Sequence, residues 1–413
     1  MREFRDACDA VLQSVTEDSL RVPGVVAMVT GRDGILYSGA AGERRIGGEE
    51  MAEDTVFALS AATQPITATA ALQCVEEGLL ELDAPAREYV PELGELSVLE
   101  GIDARGVARL RPPKTDLTTR QLLLHTAGFG SALFSDDYRR LVDAGVLPSL
   151  ASGRLAALQA PLLFDPGTRW EYGIGINWVG LIVEAIRGKR LGEVLRTRLF
   201  DPLEMRETSF ARGPERRARS AVFHRREADG SLIPAGEEED NLFGASEIDM
   251  GGHGLFGTVP DYMRFIRMWL NDGAGPQGRV LRADTVGWAV RNGLRGEVGV
   301  HRLRSAMPSL SCDVDLFPGL KKGWAYPFMR NEKRALTGRA AGSLGWAGLA
   351  NSFYWIDRRT GIGGYWATQL LPFGDPVSYI GAQDFEATVY HYLKRRMLQP
   401  PQPALPERLL DRV

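Results

Sequence analysis

Both ends of this chain pair a helix with two strands, and few architectures accommodate that. Near the start, Phe4, Cys8, Val11, Leu12 and Val15 recur at helical spacing, which predicts a helix over residues 4–20 with one buried face. VVAMVTGRDGILYSGAAG follows, two β-rich runs around Arg32-Asp33-Gly34, where Asp-Gly tolerates the positive φ of a tight turn. Towards the other end, ANSFYWIDRRTGIGGYWATQLLP repeats strand, turn (Arg358 to Gly361) and strand, and DFEATVYHYLKRRM reads as an amphipathic helix. The pattern predicts an α+β fold in which one antiparallel sheet draws strands from both chain ends, is flanked by the terminal helices, and carries a helical subdomain. The expected division is residues 1–60 and 285–413 for the sheet subdomain and 61–284 for the mostly helical one.

The middle of the chain supplies scaffold helices. In TTRQLLLHTAGFG, Thr118 and Gln121 fit a capping box and Gly128 fits a helix stop. In GTVPDYMRFIRMWLNDG, Pro260 stands near a helix start, Tyr262, Phe265, Ile266 and Trp269 form an apolar face, and Gly273 ends it.

Charge and cysteine usage narrow the function classes. A net charge of -4 over 413 residues, with no basic stripe interleaved with aromatics, argues against a nucleic-acid partner. The basic segment RGPERRARSAVFHRR from Arg212 is followed closely by EEED at Glu237, as in a solvated surface loop. The opening MREFRDACDAVLQSV is charged from residue two and no later run approaches a membrane span, so a cytoplasmic protein without membrane contact is expected. Cys8, Cys74 and Cys312 are far apart and show no ligand spacing, and His125 and His253 have no second ligand at metal spacing; no metal and no cofactor are expected.

Five passages carry a resemblance: AATQPITATAALQCVEEGLLELDAP, LLLHTAGFG, FDPGTRWEYGIGINWVGLIVEAIRG, GGHGLFGTVPDYMRFIRMWL and GSLGWAGLANSFYWIDRRTGIGGYWATQLLPFGD. In this order they resemble the serine β-lactamase and penicillin-binding-protein superfamily, in particular the esterase and transesterase branch related to class C β-lactamases. The resemblance implies that superfamily's fold, with a site where the two subdomains meet. The family's first motif is Ser-x-x-Lys, a nucleophile at a helix mouth and a lysine one turn later that manages its proton. Here those slots read Ala61-Ala62-Thr63-Gln64. A methyl group cannot attack a carbonyl, and a carboxamide neither titrates near neutrality nor carries charge. Ser60 and Thr63 flank the slot, but on a helix a shift of one or two residues swings a side chain by roughly 100° or more.

The resemblance places Tyr172 of WEYGIGINW at the family's tyrosine, with Ile174 at the Asn slot, and Trp346-Ala347-Gly348 at the third motif. Without a neighbouring lysine the Tyr172 phenol should titrate near its reference of about 10 and act as a donor at neutral pH. By the same resemblance the backbone N–H of Leu349 would join that of Ala61 in an oxyanion hole, which needs no particular side chain. Trp346, Gly348, Trp170, Trp178 and His253 are the expected ligand-binding residues. The expected partner is a small ester, amide or other carbonyl compound. Three readings remain open: a non-acylating protein that binds such a ligand and performs non-covalent acid/base chemistry, an inactive binding or regulatory pseudoenzyme, and an ester or amide hydrolase or acyltransferase that uses an unorthodox nucleophile or has been inactivated by substitution.

Overall fold

The run Val25 to Val29 is apolar at every position, so its strand must be covered on both faces. In the computed structural model, which describes residues 2–17, 20–103, 105–235, 246–326 and 328–398, this is what happens. Strands β1 (Gly24–Thr30) and β2 (Ile35–Gly42) form the expected hairpin. Residues 31–34 close it through the Gly31 N–H to Gly34 O bond, and no residue among them takes a positive φ. Strands β3 (Lys322–Trp324), β4 (Met329–Asn331), β5 (Leu344–Gly348), β6 (Ser352–Asp357) and β7 (Ile362–Ala367) complete a seven-stranded antiparallel sheet in the order β3-β4-β5-β6-β7-β1-β2. The two ends of the chain thus meet within the sheet, where β1 pairs with β7.

Alternation along the strands separates two cores. Val25, Ala27 and Val29 pack with Trp355 and Trp366 beneath helix α1 (Arg2–Glu17) and the C-terminal helix Pro376–Leu398. Val26 and Met28 face the other way, with Tyr354 and Tyr365, onto helix α2 (Val259–Leu270). That helix begins at Thr258, whose hydroxyl caps the Asp261 N–H, and it buries Tyr262, Phe265, Ile266 and Trp269 as the periodicity requires. Burial of these large side chains, each contributing about 1.5–3 kcal/mol, fixes the helix against the sheet.

The segment between the sheet's two halves contains more than helices. Short strand pairs join Val56–Ala58 to Phe256–Thr258, Val98–Ile102 to Ala108–Arg111, and His224–Arg226 to Leu232–Pro234. The Thr118–Gln121 capping box is present, but its helix, Thr119–Leu123, stops before Gly128. His125 takes the left-handed conformation at φ 54°, with its ring contacted on both nitrogens, and Gly128 (φ 108°) serves the following turn, where a Cβ would lie 2.6 Å from Phe164 O. The acidic run at Glu237 lies outside the described residues. The basic stretch before it is engaged in ion pairs, including Arg219 with Glu207 and Arg226 with Asp375.

Candidate active site

A helix mouth, a strand end and a loop converge on one cavity. The strand Val56–Ala58 runs into a 3-10 turn, Ser60–Thr63, and then into the helix Gln64–Glu76, with Pro65 in its first turn where a missing N–H costs nothing. Ser60 sits at φ 50°, an uncommon conformation for a residue with a Cβ. Neighbours hold the turn in place: Leu255 N–H donates to Thr63 Oγ1 and the Tyr262 hydroxyl donates to Ala62 O. Ser60 Oγ is buried and has no hydrogen-bond partner among the described residues.

Strand β5 ends against this turn. A Cβ at Gly348 would lie 2.7 Å from Leu59 O and 2.5 Å from Ser352 Oγ, so only glycine lets the strand end and the helix mouth approach this closely. Beyond it, Asn351 fixes the reverse turn at φ 58° with its whole side chain. Nδ2 donates to Leu370 O and Pro372 O, and Oδ1 accepts from the Gly374 and Asp375 N–H groups. This anchor stands two residues beyond Leu349, which lines the same cavity as Ala61.

Gln64, Tyr172 and His125 form a closed polar circuit whose protons can be assigned. The Gly173 N–H can only donate, and it points at His125 Nδ1 (3.4 Å). The imidazole hydrogen therefore sits on Nε2, which meets Gln64 Oε1 at 3.3 Å. The carboxamide is then oriented so that its Nε2–H donates to the Tyr172 hydroxyl at 2.8 Å. The Trp346 ring packs against that of Tyr172, 5.0 Å between centroids, and the phenol oxygen accepts from Gln64. Its own O–H has no acceptor among the described residues, and Tyr172 lines the cavity. Burial pushes the Tyr172 phenol up to about 12 against the opposing pull of the neighbouring Trp346 and Gln64 side chains, above the reference value expected from sequence, so it is a neutral donor at physiological pH. Burial likewise holds the His125 imidazole down to about 3, and it stays uncharged.

The cavity measures about 180 Å³, room for roughly a dozen waters. Ala61, Gln64, Tyr172, His253, Trp346, Gly348 and Leu349 all line it, so the structure brings these seven sequence-selected residues together. Part of its remaining wall comes from segments with no motif, among them Leu133, Phe134, Leu303, Met307 and Leu310. Sequence reasoning missed these and Asn351, since no local spacing links them to the helix mouth.

A β-lactamase family model matches residues 9–388. The chain is 30% identical to monacolin J acid methylbutanoyltransferase from Aspergillus terreus, over 90% of this chain and 92% of that protein. It is also 30% identical to lovastatin esterase from Penicillium rubens, over 90% and 95%. This protein belongs to the β-lactamase family. Within the family it falls in the class C-like esterase and acyltransferase branch: unliganded simvastatin synthase (LovD) from Aspergillus terreus superposes with a TM-score of 0.80 at 26% identity, covering 95% of this chain and 99% of that one.

Two tryptophans stand away from the cavity of this β-lactamase-family chain. Trp178 is buried with its indole N–H on Leu158 O, and Trp170 packs edge-on against His125 and lies 5.5 Å from the Trp324 ring. Both are core, because WEYGIGINW enters a helix after Tyr172 and the helix turns Trp178 inward. Asn177, one position earlier, lines the cavity instead.

Proposed function

We propose that this protein binds an acyl ester or related carbonyl compound in the cavity between Tyr172 and Trp346, and polarises its carbonyl without forming an acyl bond at residue 61. The hydrogen bond from Gln64 to Tyr172 carries this reading. The carboxamide occupies the place the family gives to its lysine and holds the phenol as a donor aimed at a ligand, while Ala61 offers no attacking atom. The backbone N–H groups of Ala61 and Leu349 complete a set of donors for a carbonyl oxygen. The ester class is supported by the acyltransferases and the esterase to which the chain is similar. We place the site at the meeting of a sheet subdomain (1–60 and 285–413) and a largely helical one (61–284). Such a donor set suits non-covalent acid/base chemistry on the bound ligand, or binding alone.

A second reading rests on Ser60, whose buried, unpartnered hydroxyl lines the cavity one residue before Ala61. In that reading Ser60 Oγ attacks the ester carbonyl, its proton leaves with the departing alcohol, and the acyl group passes to a second acceptor, as the relatives' acyltransferase names suggest. Intact-mass spectrometry after treatment with a fluorophosphonate separates the two. The first reading expects no adduct on the native chain and an adduct at residue 61 in the Ala61→Ser, Gln64→Lys double variant. An adduct on the native protein that disappears in Ser60→Ala would establish the second.

A further inference from the structure

The cavity wall is largely apolar, and the polar side chains that line it carry no fixed charge. Among the described residues that line it, none is an arginine, lysine, aspartate or glutamate. Burial holds the His253 imidazole down to about 4, so it too is uncharged at neutral pH. Most other polar groups in the wall are already engaged with backbone. The Tyr138 hydroxyl donates to Pro161 O, and Asn177 is tied by Gly252 N–H and Ile174 O. The Ser131 and Ser149 hydroxyls accept from the Leu133 and Ala151 N–H groups. What is left for a ligand is a small set of neutral groups: the Tyr172 O–H and Ser60 at the helix mouth, and the O–H donors of Ser131 and Ser149. The apolar wall is Leu133, Phe134, whose ring meets that of Tyr172 at 6.1 Å between centroids, Val142, Leu303, Met307 and Leu310.

From this arrangement, and resting on the ester-binding reading above, the geometry points to a ligand whose body is apolar and uncharged: one carbonyl group at the Tyr172 end, and no ionised group along the Leu133–Met307 wall. A carboxylate carried on the ligand's body would lose its hydration with no cation to meet it, and burying an unpaired charge is far costlier than burying the same chain as an ester.

The test uses two ligands that share an ester carbonyl and chain length and differ in one charge, dimethyl sebacate and monomethyl sebacate, competing with the neutral dye Nile red at pH 7. The diester is expected to displace the dye with at least tenfold higher affinity. In Met307→Lys, at the partly exposed edge of the wall, the monoester should gain at least tenfold relative to the diester. Equal or tighter binding of the monoester by the native protein overturns the inference and leaves ester binding standing. A diester preference that survives unchanged in a Met307→Lys protein still able to bind Nile red overturns the assignment to this wall. Failure of both sebacates to compete while the dye binds overturns the ester-binding reading, and the inference with it.

Discussion

Gln64 donates to the hydroxyl of Tyr172 at 2.8 Å, and the other end of the same carboxamide accepts from His125. A single amide therefore satisfies two buried polar groups that come from separate parts of the chain. In Gln64→Leu, close in size but without donor or acceptor, the His125 Nε2–H is left buried and unpaired and Tyr172 keeps only its Trp346 contact. The expected loss is about 1–3 kcal/mol of unfolding free energy, read by urea denaturation. An unchanged midpoint would mean that the circuit is not formed in solution.

The buried imidazole makes stability depend on pH. His125 titrates at about 3 in the folded protein, held down by burial, and near 6.5 in the unfolded chain. Between those values the unfolded state binds more protons at this residue, so stability rises with pH across the window and is level above it. Lowering the pH from 7 to 5 should cost roughly 2 kcal/mol through His125. His224, held down to about 4 chiefly by burial, adds in the same direction. Urea curves at the two pH values should show the loss, and His125→Gln should reduce it.

The sheet was legible in the sequence because its strands alternate, pair locally and end in turn residues; Ile35–Gly42 and Ser352–Asp357 each follow from a hairpin pattern. Gln64, Tyr172 and Trp346 were legible as candidate residues through the five family-like passages. Other features depend on contacts between distant segments and leave no periodic trace. Trp178 reads as an aromatic near a site tyrosine, and only the helical phase after Ile174 shows that it points into the core. The short strand Val56–Ala58 has its partner two hundred residues later, and the His125 ring meets Gln64 and Gly173, both distant in sequence.

Asn351 is the anchor that sequence reasoning passed over. Replacing it with alanine removes four hydrogen bonds to backbone and leaves a Cβ-bearing residue without its local support in a left-handed conformation. Asn351→Ala is expected to lose more than about 2 kcal/mol. Asn351→Gly should recover about 1 kcal/mol of that loss, because glycine adopts the backbone angle freely. The order of the two variants in a thermal melt checks the reasoning: alanine as stable as glycine would mean that φ at this turn carries no cost.

The contact between Gly348 and the helix mouth ties the fold to the site. A Cβ there would collide with Leu59 O at 2.7 Å and Ser352 Oγ at 2.5 Å; the serine can rotate away, but the carbonyl belongs to the backbone entering the Ser60 turn. Gly348→Ala must therefore separate strand β5 from that turn, at an expected cost of about 1–3 kcal/mol. Separation also moves the Leu349 N–H away from that of Ala61 and opens the cavity at the helix mouth, so affinity for dimethyl sebacate should fall more than affinity for Nile red, which needs only the apolar wall. Gly34→Ala, where the added methyl meets nothing within 4 Å, is the control and should match the native protein in both measurements. If Gly348→Ala lowers stability but weakens both ligands equally, the close approach supports the fold without setting the donor geometry at the carbonyl end.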